Sequence, residues 1–240
     1  MISVCMATFN GEKYIKEQIA SILQQLSSED ELIVSDDGSS DNTCNIIQKY
    51  NDNRITLLYN KGCHGYVGNF ENALMHSSGD YIFLCDQDDV WKSNKVHTVM
   101  EYLKRYDLVI HNADIVNEKG IPIGKTYYDC THGKTGFWAN LISTRYLGCC
   151  MAFRKNVLNK SLPFVSQKRG HDYWIGCVAA LWYKVIFIDD ILISYRRHGN
   201  NASSSSSKSS NSLKKKILKR IDMLHALFLR FVLKKRLIYE

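Results

Sequence analysis

The chain alternates short apolar runs with stretches in which apolar residues recur every three or four positions. Residues 2–8 form the first run and predict a buried strand. Ile15, Ile19, Ile22, Leu23 and Leu26 then recur at helical spacing. A second strand is expected over 31–35, followed by Asp41 as a helix cap and a helix with Ile46, Ile47 and Tyr50 on one face. Residues 55–59 read as a third strand, and Phe70, Ala73, Leu74 and Ser77 as a helix. Residues 81–85 read as a fourth strand, Val96, Val99, Met100 and Leu103 as a helix, and 107–111 as a fifth strand. Alternation of this kind predicts an α/β domain with a mostly parallel sheet.

The second half breaks the rhythm. Helices are expected over 137–142 and 171–181, and strands over 149–153, 184–188 and 192–195. This is not a continuing strand–helix series, so it predicts a mixed extension of the sheet rather than a second nucleotide fold.

Composition and charge refine this picture at the end of the chain. The protein has 240 residues, 45% of them hydrophobic, and a net charge of +7. Residues 213–240 carry nine Lys or Arg and two acids, so the tail accounts for the whole imbalance and the body is neutral. A nucleic-acid enzyme would spread its basic charge over the body, so no nucleic-acid partner is expected. Residues 199–212 are rich in Ser and Asn and read as a linker. In the tail, Leu213, Ile217, Ile221, Leu224, Phe228 and Phe231 fall at helical spacing among lysines. That pattern predicts a basic amphipathic helix bound to a membrane surface, with packing on the domain or on a partner as the alternatives. The eight cysteines form no C-x-x-C pair, no secretory leader opens the chain, and no run approaches the ~18 apolar residues of a membrane span. The expectation is a cytoplasmic protein with free thiols, peripheral on the cytoplasmic face of the membrane.

Three polar clusters follow predicted strands, where open α/β sheets bind ligands. Thr8-Phe9-Asn10-Gly11 follows the first and is not a G-x-G-x-x-G dinucleotide loop. Asp36-Asp37-Gly38-Ser39 follows the second; two adjacent carboxylates there call for N–H or O–H donors, as a base or ribose would offer. Asp86-Gln87-Asp88-Asp89 follows the fourth. Three carboxylates within four residues raise one another's pKa values without a cation, and a hard divalent ion relieves this.

With Gly68-Asn69-Phe70-Glu71-Asn72-Ala73 and the continuation Val90-Trp91, the order and spacing of these segments resemble the family 2 glycosyltransferases. The Asp-Gln-Asp-Asp-Val-Trp form resembles the bacterial surface-polysaccharide branch with its rhamnosyl- and galactosyltransferase-like members. The resemblance covers residues 1 to about 200 and implies a GT-A fold: a Rossmann-like nucleotide-binding half with a mixed central sheet. It also implies inversion at the sugar and a Mn²⁺ or Mg²⁺ cofactor. By position, Thr8, Asn10 and Asp37 would contact the nucleotide, with Asp36, Asn69 and Gln87 beside it. Asp86 and Asp88 match the family's D-x-D, which binds the ribose–diphosphate–metal unit, and Asp89 assists or caps the next helix. An Arg-Asn pair common in the family is Asn69-Phe70 here, without the arginine.

In the second half, His171-Asp172-Tyr173-Trp174 resembles the acceptor-side motif, with Asp172 as general base; without the resemblance Asp172 reads as a helix cap. Tyr195-Arg196-Arg197-His198 resembles the segment that closes over the diphosphate, with His198 a further metal ligand and Arg196 or Arg197 facing phosphate. Gly148 and Cys149 fall near the sugar, and His171 and Trp174 beside the acceptor.

The expected organisation is a GT-A catalytic domain over 1–198 (nucleotide side 1–112, acceptor side 113–198), the linker 199–212 and the helical tail 213–240. The expected partners are a nucleoside-diphosphate sugar, UDP or dTDP ahead of GDP, a glycan or lipid-linked acceptor, and the inner membrane surface. Two rival readings are a nucleotidyltransferase, disfavoured by the lack of a Gly-rich basic phosphate loop, and a non-catalytic nucleotide-sugar-binding module.

Overall fold

In the computed structural model, which describes residues 1–131, 136–142, 145–166, 169–199 and 213–232, Ile2–Thr8 forms the central strand β1. All but Ala7 of its residues are buried, which is why its sequence shows no polar alternation. Then follow α1 (Ile15–Leu23), β2 (Glu31–Asp36), α2 (Thr43–Gln48), β3 (Ile55–Tyr59), α3 (Tyr66–Met75) and β4 (Tyr81–Asp86). These strands lie parallel in the order β3-β2-β1-β4, as expected of strand–helix–strand units. Asp41 does not cap α2 from the last non-helical position; Asn42 stands there, and Asp41 instead accepts the N–H of Thr43 one step earlier.

Beyond β4 come β5 (Val90–Trp91), α4 (Lys95–Leu103), β6 (Leu108–Val116), β7 (Pro122–Thr126), α5 (Tyr127–Thr131) and α6 (Phe137–Ile142). A single 3-10 turn (Gly148–Cys150) leads into β8 (Met151–Arg154), followed by α7 (Lys155–Ser161), α8 (His171–Trp182) and β9 (Val185–Arg196). The sheet continues β4-β8-β6-β9-β5, with β7 paired to β6. β8 is antiparallel to β4 and β6, while β9 is parallel to β6, so the sheet is mixed in its second half as the sequence predicts.

Two second-half expectations change. The strand expected over 149–153 begins only at Met151, because the 3-10 turn occupies its first two positions. The two strands expected over 184–188 and 192–195 are one. β9 runs unbroken, and its register against β6 slips between His111 and Ala113. That irregularity turns Asp189, Asp190 and Ile191 to solvent, which interrupts the apolar pattern without ending the strand. β6 itself runs through positions 112 and 113, so one sheet serves both halves.

α9 (Leu213–Phe231) packs on this body. Met223, Ala226 and Leu227 are buried, and Phe231 stacks near Trp174 and Trp182 with centroids 6.3 and 4.2 Å away. Arg169 pairs with Asp222 at 2.5 Å, and Arg230 donates to the Leu162 carbonyl. The predicted stripe Ile217, Ile221, Leu224 and Phe228 is not the packed one; it faces solvent. Residues 200–212, nearly all of the linker, and 233–240 lie outside the described residues. No helix among the described residues is long and apolar enough to cross a membrane.

The two faces of α9 should separate in stability measurements. Met223→Ala, at a fully buried position, should cost about 2 kcal/mol or more in urea unfolding, whereas Ile221→Ala should shift it by less than about 0.5 kcal/mol. Equal costs would mean that α9 packs differently.

Candidate active site

The carboxyl ends of the parallel strands stop in register. Thr8 pairs with Asp36, and Ala7 with Asp86, so the three clusters share one edge of the sheet. β9 runs parallel to β6 and ends at the same edge, which brings Arg196, Arg197 and His198 beside them.

The first loop is locked to the third. Thr8 Oγ1 donates to Gln87 Oε1 at 2.5 Å, the Phe9 N–H donates to the same oxygen, and Gln87 Nε2 donates to the Phe9 carbonyl. A Cβ on Gly11 would overlap the Gln87 amide, so a side chain there would push that amide away from Thr8 and Phe9. Asn10, at φ 49°, accepts the Ser40 N–H and donates its own N–H to Ser39 Oγ, joining the first loop to the second.

Asp36 and Asp37 find their donors within the protein, which corrects the expectation that a ligand must supply them. Asp36 accepts the N–H groups of Gly38 and Ser39 and the Ser39 hydroxyl. Asp37 accepts from Asn60 Nδ2 at 2.7 Å and from the Gly65 N–H, and lies 3.0 Å from His64 Nδ1. Asn69 Nδ2 donates to the Thr8 carbonyl, while its buried Oδ1 has no hydrogen-bond partner among the described residues.

The acidic loop is anchored on both sides, by β4 before it and by β5, which pairs with β9, after it. Arg196 ties the loop down. Its N–H donates to Asp89 Oδ1 and its Nε to the Asp88 carbonyl; Nη1 donates to the Glu118 carbonyl and Nη2 pairs with Glu17 at 2.7 Å. Arg196 is 5% exposed and its guanidinium is committed to the protein, so it does not face a diphosphate as expected. Arg197 is half-buried, with Nη1 3.4 Å from the Tyr195 hydroxyl. His198 Nε2 lies 2.7 Å from Asp88 Oδ2, and its ring stacks on Tyr14.

Burial is the first cause, and the neighbouring carboxylates the second, that push Asp86 up to about 7 and Asp89 well above the usual carboxylate range. Asp86, Asp89 and Cys149 each point one ligand atom into the same space, all within 4.8 Å of one another, and Asp89 Oδ2 is buried without a hydrogen-bond partner among the described residues. Asp88 and His198, expected as ligands beside Asp86, are paired with each other and are not part of this group. Two carboxylate oxygens suit a hard ion such as Mn²⁺ or Mg²⁺, so the residues present fit a divalent ion.

Lys95 was missed by sequence reasoning. It is fully buried, donates to the Cys149 carbonyl at 2.9 Å and lies 4.1 Å from the Trp91 ring centroid. Its charge lowers the Asp86 pKa, a small opposing effect behind the acidic loop. The signal was present: Lys95, Val99 and Leu103 repeat every four residues, placing a lysine on the buried stripe of α4. Glu17 was missed for want of any such signal.

On the other wall, Gly148 and Cys149 connect the acidic loop to α8. A Cβ on Gly148 would stand 2.8 Å from His171 Nε2 and 3.7 Å from the Asp172 Cβ. Asp172 lies in the first turn of α8 rather than capping it, since Gly170 holds that place, and accepts the N–H of Tyr173 at 2.7 Å. Burial raises the Asp172 pKa to about 6. His171 is buried and stacked on Phe70 with centroids 4.0 Å apart; burial lowers its pKa to about 3, and neither ring nitrogen has a hydrogen-bond partner among the described residues. Trp174 does not join this wall. It is 1% exposed, donates to the Ser161 carbonyl and packs toward Phe231, because helical spacing turns it away from Asp172 into the core.

Residues 3–162 match the family described as Glycosyl transferase family 2. The Escherichia coli UDP-Glc:alpha-D-GlcNAc-diphosphoundecaprenol beta-1,3-glucosyltransferase WfgD is 32% identical over 181 residues, covering 73% of this chain and 68% of that protein. The chain spans about two thirds of the length of the first curated relatives it matches. Among solved structures, Staphylococcus aureus TarS 1-349 in complex with UDP-GlcNAc superposes with a TM-score of 0.67 at 19% identity, covering 95% of this chain and 72% of that one. The Pyrobaculum calidifontis mannosyltransferase PcManGT, in complex with GDP-Man and Mn²⁺, gives 0.61 at 18% identity, over 96% and 70%. The fold is therefore GT-A, as the sequence resemblance implied.

The raised carboxyls set a pH dependence. In the unfolded chain they titrate near 3.8, so between that value and about 7 the folded state holds more protons. Their contribution to stability is full at the acidic end and is lost as pH rises through about 7. Without divalent ions, the melting temperature should fall across this window, Mn²⁺ should restore it, and Asp86→Asn should flatten it. A wild-type melting temperature that stays flat would remove the buried-carboxylate account.

Proposed function

Because the chain belongs to glycosyl transferase family 2, we propose that it moves a hexosyl or deoxyhexosyl group from a nucleoside-diphosphate sugar to an acceptor hydroxyl, with inversion at the anomeric carbon. The observation that carries this reading is the common edge on which Thr8, Asp36 and Asp86 end in register, with Asp172 facing them across Gly148 and Cys149. In this reading residues 1–112 hold the nucleotide, 113–198 receive the acceptor, and the Ser-rich segment 199–212 leads to the basic tail 213–240.

Thr8, Asn10 and Asp37 line the nucleotide site. Asp36 and Gln87 fix the shape of its loops, and Asn69 offers its unpartnered Oδ1. UDP is the first donor to test, since WfgD is named for UDP-Glc and is 32% identical. dTDP is the second. Asp86, Asp88 and His198 would hold Mn²⁺ or Mg²⁺, with Asp89 and Cys149 alongside, and the bound ion would supply positive charge to the leaving diphosphate. Arg197 and His198 serve the diphosphate in place of the absent arginine beside Asn69; Arg196 holds the loop that positions them.

Asp172 takes the proton of the acceptor hydroxyl. The acceptor oxygen attacks the anomeric carbon from the face opposite the diphosphate, and the bond from that carbon to the β-phosphate oxygen breaks with its electrons on the diphosphate. Burial serves this role, because a carboxylate raised to about 6 is a stronger base than one in water and is still ionised at neutral pH. His171 lies beside Asp172 and is neutral, so it offers the acceptor a hydrogen-bonding nitrogen without a competing charge. Gly148 and Cys149 face the sugar. The acceptor is a glycan or a lipid-linked saccharide, reached at the cytoplasmic face of a membrane with the basic tail against the lipid.

Three measurements test this. Asp172→Asn should keep Mn²⁺-dependent binding of UDP-sugar and lose transfer by about 10²-fold or more; wild-type rates in this variant would take Asp172 out of the mechanism. In the wild type, kcat/KM should rise with pH through about 6 and then level, because only the ionised carboxyl accepts a proton. Asp88→Asn should lose the Mn²⁺ dependence of donor binding, and donor binding indifferent to both Mn²⁺ and this change would exclude the acidic loop as the ion's site.

A further inference from the structure

Two helices from distant parts of the sequence leave large apolar side chains in solvent on adjoining faces. On α9 and the turn that ends it, Ile217, Ile221, Leu224, Phe228 and Val232 follow one another at intervals of three or four residues, so they form one stripe. Ile221 is 56% exposed, Phe228 49% and Val232 62%. The docked residues Met223, Ala226 and Leu227 lie roughly on the opposite side of the helix. On α6, Trp138 and Ile142 are one turn apart and 68% and 63% exposed, while Phe137, Asn140 and Leu141 face the body. Arg220 of α9 joins the two helices by donating to the carbonyls of Leu141 and Ile142.

A helix that had only to pack on the domain would need one apolar face. α9 has two, and the outer one is continuous with α6. Exposed apolar area of this size on a monomer calls for an occupant. The charge of the segment that carries it selects one. Nine Lys or Arg against two acids lie in residues 213–240, while the rest of the chain is neutral. Apolar side chains on a segment of concentrated positive charge match a bilayer with anionic headgroups, in which both parts are satisfied together. A second copy of this chain would instead bring the same positive charge against itself.

We propose that the outer face of α9 and the exposed edge of α6 form a single docking face for an anionic lipid bilayer. The face is wider than the tail helix alone and includes part of the catalytic body. It also lies close to the acceptor wall: Tyr173, the residue after Asp172, donates its hydroxyl hydrogen to the Leu141 carbonyl of α6 at 3.3 Å. Resting on the transferase reading given above, a lipid-borne acceptor would thus meet the enzyme on the side of Asp172, with the membrane setting the height of the acceptor hydroxyl.

The test is flotation of the full chain with vesicles of phosphatidylcholine alone and of phosphatidylcholine with phosphatidylglycerol. Binding should require phosphatidylglycerol and weaken as salt is raised. Ile221→Asp with Phe228→Asp should reduce binding by about tenfold or more, and Trp138→Ala by a smaller factor of at least about two. All three positions are exposed, so the variants should keep the wild-type circular dichroism and melting temperature, and a variant that does not is replaced by Ile221→Ser with Phe228→Ser. The proposal is overturned if the wild type does not float with phosphatidylglycerol vesicles, or if the paired substitution leaves flotation unchanged. Trp138→Ala binding like the wild type would remove α6 from the face. A dimer in sedimentation that the paired substitution converts to monomer, without vesicle binding, would assign the face to a second copy. Mn²⁺-dependent UDP-sugar binding, measured on the same samples, separates the two readings. A chain that binds donor and never floats loses only the lipid face. A chain that floats and never binds donor loses only the transferase reading.

Discussion

The site depends on holding buried negative charge in place before any substrate arrives. Asp86 and Asp89 sit at a strand end where burial makes their ionised forms costly. Two residues of the protein offset this from within, Arg196 by its backbone N–H and Lys95 by its charge. Arg196 fastens the loop from β9 through the Asp88 carbonyl and the Asp89 carboxylate, and is itself held by Glu17 and Glu118. Lys95 stands behind the loop, fixed on the Cys149 carbonyl and over Trp91. Neither residue satisfies the cluster completely, since Asp86 is still raised to about 7 and Asp89 Oδ2 is still without a hydrogen-bond partner among the described residues. The remaining deficit is one that a divalent ion would offset. A loop neutralised fully by its own protein would have less to gain from one.

This arrangement also explains the limits of the sequence. The strands that carry the site were legible because β1, β2 and β4 are buried on both faces and read as unbroken apolar runs. Their polar ends were legible because strand ends in an open sheet are where ligands bind. The roles of single residues were not. Asp36 and Asp37 looked like ligand-seeking carboxylates, and the donors that satisfy them lie in the following turn, at Asn60 and at Gly65. Arg196 looked like a phosphate contact because its segment resembles the one that closes over the diphosphate, but only the fold shows that its guanidinium is taken up by the Asp88 and Glu118 carbonyls and by Glu17. Trp174 shares a motif with Asp172 and points the other way. Adjacency in sequence fixes which edge of the sheet a residue reaches and leaves its direction to packing.

The tail shows the same limit. Its pattern reads as a helix with one apolar stripe expected on a membrane surface; in the structure that stripe is exposed, and Met223, Ala226 and Leu227 make the joint with the body. A helix with apolar residues on more than one face cannot be oriented from its own sequence. What orients α9 is the aromatic surface it meets, Trp174 and Trp182 against Phe231, together with Arg169 on Asp222.

These two constraints meet in α8. Its first turn carries Asp172, poised by burial across from the acidic loop, and its later turns carry Trp174 and Trp182, on which α9 rests. α8 is therefore in contact with both the candidate site and the docked tail, and α6 adds a second link through Arg220 and Tyr173. That continuity is a consequence of packing: the tryptophan that sequence reasoning placed beside the acceptor instead ties the helix of Asp172 to the tail.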